Sequence, residues 1–147
     1  MKLLEVNQLE KAVCYALRLD GWDLEWCGEG YEHYDAKGFT PKGHKCVIEM
    51  KFVSKYYENK LLEKYKYDKL MQLPKDVIKI YFVNDPVANY FFWLDSLVLG
   101  DPVKLELPST TLWDQNKRTK LVYFLEESQA SIINKNSNYA FTKSKTN

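Results

Sequence analysis

The sequence is poor in the residues that build covalently or metal-stapled scaffolds. Its three cysteines, Cys14, Cys27 and Cys46, are an odd number with no paired spacing and no Cys-x-x-Cys, which argues against a disulfide framework. Its two histidines, His33 and His44, lie near Cys27 and Cys46, but the spacing matches no zinc-binding pattern. Net charge is almost absent: 21 Lys and Arg against 20 Asp and Glu leave +1, so the total says nothing about a polyanionic partner. No apolar run is long enough to span a membrane, and Met1-Lys2-Leu3-Leu4-Glu5 does not open a secretory leader. A reducing cytoplasm and no membrane partner are therefore expected. There are no internal repeats and no sign of a second domain. Residues 1–133 read as one domain, and residues 134–147 as a polar tail, rich in Asn, Ser, Thr and Lys, that is expected to fray.

What is present is a hydrophobic content of 46%, enough for a core, and an uneven placement of charge. Six acids and no Lys or Arg fall between Asp20 and Asp35, whereas nine lysines face four acids between Lys37 and Lys69. Such a sequence of charge suits a site that holds a cation and faces a polyanion, and it equally suits an ordinary solvated surface.

Periodicity divides the chain into elements. Asn7 to Leu19 predicts a helix, with Leu9, Ala12, Val13, Ala16 and Leu17 at helical spacing, Asn7 as cap and Asp20-Gly21 as stop. Trp22–Cys27, Tyr31–Ala36 and Lys45–Val53 predict three strands of an antiparallel meander, separated by Gly28-Glu29-Gly30 and by the Gly- and Pro-containing turn 37–44. Tyr57 to Leu73 predicts a second helix stopped by Pro74, with Leu61, Leu62, Tyr65, Leu70 and Leu73 as its buried stripe. Val77 to Val83 is a strong β-run, and Asn89–Leu94 a short one. A helical turn is expected at Asp95–Leu99, and further strands at Val103–Leu107 and Lys120–Leu125.

The third strand carries the chemistry. Side chains two apart in a strand share a face, so Glu49 and Lys51 stand together while Ile48, Met50 and Phe52 turn to the core. Asp35 reaches Glu49 if the neighbouring strands pair around the intervening turn. Two carboxylates aimed at one point repel each other. A hard divalent cation, Mg2+ or Mn2+, relieves that repulsion and keeps positions open for water and phosphate. On spacing alone, a surface cross-strand ion pair explains Glu49 and Lys51 as well. Two other acid-x-Lys triplets, Asp35-Ala36-Lys37 and Glu58-Asn59-Lys60, show how easily the pattern arises.

The element order, with Asp on one strand and Glu-x-Lys on the next, resembles the PD-(D/E)XK nucleases over Asn7 to Val83. That resemblance implies an α/β, restriction-endonuclease-like αβββαβ core: a central mixed sheet flanked by helices, here with C-terminal β additions. It further implies a metal-dependent nuclease hydrolysing DNA, with Asp35 and Glu49 on the metal and Lys51 assisting the attacking water. Glu10 matches the acid that many members place on the first helix, although a capping-box role with Asn7 is the competing reading. Tyr34 stands where the family's nominal proline would be. Tyr65, Lys66 and Lys69 on the second predicted helix are candidate DNA contacts. DNA is the expected partner, and the small size is compatible with a homodimer. The alternative function is a catalytically inactive nucleic-acid-binding or interaction module on the same fold.

Overall fold

The computed structural model describes residues 3–108 and 117–135. The most continuously apolar segment becomes β5 (Ile78–Asn84), and β3 (Lys45–Phe52) lies parallel to it, with Glu49 opposite Tyr81 and Lys51 opposite Val83. Both strands are covered on both faces, which is why β5 shows no polar alternation. Ile48 and Met50 of β3, with Ile80 and Phe82 of β5, pack on one side beneath α1 (Leu3–Leu19), against Cys14 and Leu17. Val47, Tyr81 and Val83 pack on the other, against Leu70 of α2 (Lys64–Met71).

Around this pair the sheet grows by antiparallel neighbours. β1 (Asp23–Trp26), β2 (Ala36–Phe39) and β3 form the expected meander. β6 (Ala88–Trp93) and β9 (Ile132–Lys135) extend the other side, giving a six-stranded mixed sheet ordered β1-β2-β3-β5-β6-β9. A second sheet, β4-β8-β7, contains β4 (Asn59–Glu63), β8 (Lys117–Glu126) and β7 (Val103–Pro108). Its Leu62, Tyr123 and Leu125 close the core on the α2 side. No helix among the described residues is long and apolar enough to cross a membrane.

Four expectations change. The first helix begins at Leu3, so Asn7 lies inside it and is not its cap. The second strand covers Ala36–Phe39 rather than Tyr31–Ala36. Gly38, which reads in sequence as turn punctuation, sits within this strand because a Cβ there would lie 1.8 Å from the Asp23 carbonyl oxygen. The helix expected over Tyr57–Leu73 is instead β4 running into a shorter α2. Lys60 and Leu62 alternate inward from β4, which pairs with β8 far along the chain, and that partner overrides local helix preference. Of the expected helical stripe, Leu70 is buried on α2, whereas Tyr65 is largely exposed. Finally, a 3₁₀ turn at Leu94–Ser96 occupies the place of the helical turn expected slightly later. β9 runs two residues into the tail expected from position 134, and the rest of that tail, 136–147, lies outside the described residues.

Candidate active site

Asp35 lies one residue ahead of β2. Continuing the pairing of Ala36 with Ile48 by one step sets Asp35 opposite Glu49. The backbone anchors it from two directions: its N–H donates to the Ile48 carbonyl at 2.8 Å, and Met50 N–H donates to its Oδ2 at 2.8 Å. Glu10 comes to the same place from α1. Its carboxyl lies close enough to that of Asp35 for each to shift the other, and it accepts a hydrogen bond from Trp26 Nε1 at 2.9 Å. With the helix starting at Leu3 and Glu10 only 5% exposed, the capping-box reading of Glu10 falls away.

Glu49, 7% exposed, occupies the face of β3 that α2 and β4 cover. Its nearest cation is Lys66 of α2, whose Nζ is 3.2 Å from Glu49 Oε1. Lys66, expected to contact DNA, thus ends on the carboxylate cluster, and Lys51 forms no ion pair with Glu49. Lys51 shares the Glu49 face by parity; the residue is exposed, and Lys66, Glu63, Lys120 and Glu49 are the charges that act on its amine. Glu63, at the end of β4, receives Lys120 Nζ at 2.7 Å and Lys66 Nζ at 3.6 Å. Tyr65 and Lys69 share one side of α2, with the ammonium 5.6 Å from the ring centre, and His33 meets the Tyr65 ring edge-on.

The electrostatics follow from three acids sharing one close cation. Burial raises the Glu49 pKa to about 8, with the Asp35 charge adding to it and Lys66 opposing it. Burial raises Glu10 to about 7, opposed by the Trp26 hydrogen bond and reinforced by Asp35. Asp35 is also raised, again through burial, against the Met50 N–H. Lys51 is lowered by burial of its amine and by the Lys66 charge. Burial would raise Glu63 too, but Lys120 and Lys66 outweigh it and hold its carboxyl below the ordinary value.

Carboxylate groups from three separate elements, with one ammonium at contact distance among the described residues, are a donor set that could hold a hard divalent cation. Among the described residues no three such side chains already form a ligand group. Glu49 is engaged by Lys66 and Glu10 by Trp26.

Neither a protein-family model nor a curated protein matches the sequence. Among solved structures, Hjc, a Holliday junction resolvase from the archaeal hyperthermophile Archaeoglobus fulgidus, is similar with a TM-score of 0.57. The likeness covers 91% of this chain and 93% of that one at 14% identity. The chain has a restriction-endonuclease-like fold. Within that fold the expected αβββαβ order is present with one insertion, because β4 enters between β3 and α2. Sequence reading named Glu10, Asp35 and Glu49, which the fold brings together. It did not single out Trp26 or Glu63, and it read Lys120 only as part of a second basic cluster with Lys117 and Arg118. The local signal for Glu63 was its i,i+3 spacing to Lys66.

Proposed function

We propose that the chain is a metal-dependent nuclease that hydrolyses DNA phosphodiester bonds. One observation carries this reading: Glu10, Asp35 and Glu49, from α1, the entry to β2 and β3, meet against Lys66 in a restriction-endonuclease-like core. The fold alone does not assign a reaction; the crowded carboxylate set is what supports this one. Mg2+ or Mn2+ bound there would lower the pKa of a coordinated water and offset charge on the phosphate. Glu10, Asp35 and Glu49 would hold it. Met50 N–H and the β2–β3 ladder keep Asp35 in place. Lys51, with its lowered pKa, takes a proton from the attacking water or hydrogen-bonds the phosphate. Lys66 pairs with Glu49 in the metal-free protein, and a bound cation would share that carboxylate with it. Tyr65 and Lys69, on one side of α2, contact DNA.

The resolvase named above acts on Holliday junctions, so four-way junctions belong beside plasmid and linear duplex as test substrates. Cleavage is expected with Mg2+ and none with EDTA. Glu49→Ala and Lys51→Ala are expected to abolish cleavage without changing the circular dichroism spectrum. Cleavage that survives both substitutions overturns the proposal. DNA binding without cleavage in Mg2+ would favour the inactive binding module instead.

A further inference from the structure

Trp26 stands at the end of β1, outside every acid-x-Lys triplet, yet its side chain is built into the carboxylate cluster. Its Nε1–H donates to Glu10 Oε1 at 2.9 Å. The ring is held from another side by Lys11, one residue after Glu10, whose ammonium lies 4.3 Å from the ring centre. Gly28 completes the arrangement. A Cβ at that position would lie 2.6 Å from Glu10 Oε1 and 2.8 Å from Trp26 Nε1. Real Cβ atoms do not approach so closely, so a side chain at position 28 would displace one partner of the Glu10–Trp26 hydrogen bond. Glu10 sits on a helix with several rotatable bonds between backbone and carboxyl. An indole donor fixes one oxygen and leaves the group oriented toward Asp35.

We infer that Trp26 is a positioning residue for the Glu10 carboxylate, with Gly28 reserving the space, and that the pair sets the affinity of the site for a divalent cation. This rests on the metal-site reading above. Outer partners that orient metal-binding groups are worth roughly 10- to 100-fold in affinity.

The test is calorimetric titration of the full chain with Mn2+, free of DNA, with folding checked by thermal melts. Trp26→Phe removes the donor and keeps an aromatic ring; it is expected to weaken Mn2+ binding about 10-fold or more. Gly28→Ala is expected to do the same by displacing the Glu10 carboxylate, and it reads the same contact if Trp26→Phe fails to fold. Trp26→His, which retains a ring N–H, is expected to recover part of the loss. In a Glu10→Gln background, Trp26→Phe is expected to cost nothing further, because its effect passes through Glu10. Wild-type affinity in Trp26→Phe, or an equal loss with and without Glu10, overturns the inference. No Mn2+ binding by the wild-type chain overturns the metal-site reading itself, a separate result.

Discussion

Two lysine–carboxylate clusters among the described residues are built on opposite principles. In one, Lys60 of β4 is buried, with Nζ 2.8 Å from Asp85 Oδ2 and 3.3 Å from Glu127 Oε1, and it lies 4.4 Å from the ring centres of both Tyr56 and Tyr90. Asp85 spends its other oxygen on the N–H groups of Val87 and Ala88, and Glu127 accepts from the hydroxyls of Tyr56 and Tyr90. Every group there has a complementary partner. In the other, Glu10, Asp35 and Glu49 crowd together with Lys66 as the close cation, and all three carboxyl groups are pushed up. Each cluster contains a lysine near an acid-x-Lys triplet. The difference lies in charge balance: the first is closed and structural, and the second is short of positive charge, which the proposed cation would supply.

The comparison can be broken in three ways. The largest effect belongs to the closed cluster. Lys60→Ala leaves Asp85 buried without its cation and is expected to cost about 3–5 kcal/mol in chemical denaturation. A loss near zero would remove the contrast. Next comes pH. Glu10 and Glu49 titrate near 7 and 8 in the fold against an ordinary 4.5, so their protonated forms stabilise the metal-free protein. That contribution is complete below about 4.5 and disappears as pH rises through about 7 to 8. The melting temperature in EDTA is expected to fall over this window. Glu49→Gln is expected to flatten the fall and to melt higher than wild type at pH about 8, where wild-type Glu49 is ionising. A flat wild-type profile would show that the second cluster is as balanced as the first. The smallest effect is on DNA affinity: Tyr65→Ala and Lys69→Ala, outside both clusters, are each expected to weaken binding only a few-fold, Lys69→Ala with a shallower salt dependence. Titration against ionic strength reads this directly.

Much of the main sheet was legible in the sequence because its signals are local. Strand parity placed Glu49 and Lys51 on one face of β3, and the apolar run from Val77 announced β5 as buried. What was not legible required a distant partner. Nothing near Asn59–Glu63 reveals that β8, some sixty residues later, will draw it into a strand. Lys66 read as a DNA contact because its partner, Glu49, meets it only after β3 and α2 pack together. Trp26 reads as one more core aromatic until Glu10, sixteen positions earlier, is seen to meet its N–H. Asp35 was placed correctly opposite Glu49 although its strand was expected too early, since the β2–β3 register and not the strand boundary decides which residue it opposes.

The join between β4 and α2 has a mechanical consequence. Glu63 ends the strand and Lys64 begins the helix, with no residue between them. β4 is laddered to β8, and Lys120 of β8 grips Glu63. The small sheet and the helix are therefore tied end to end, and the position of Lys66 beside Glu49 depends on a strand pairing made some sixty residues further along the chain.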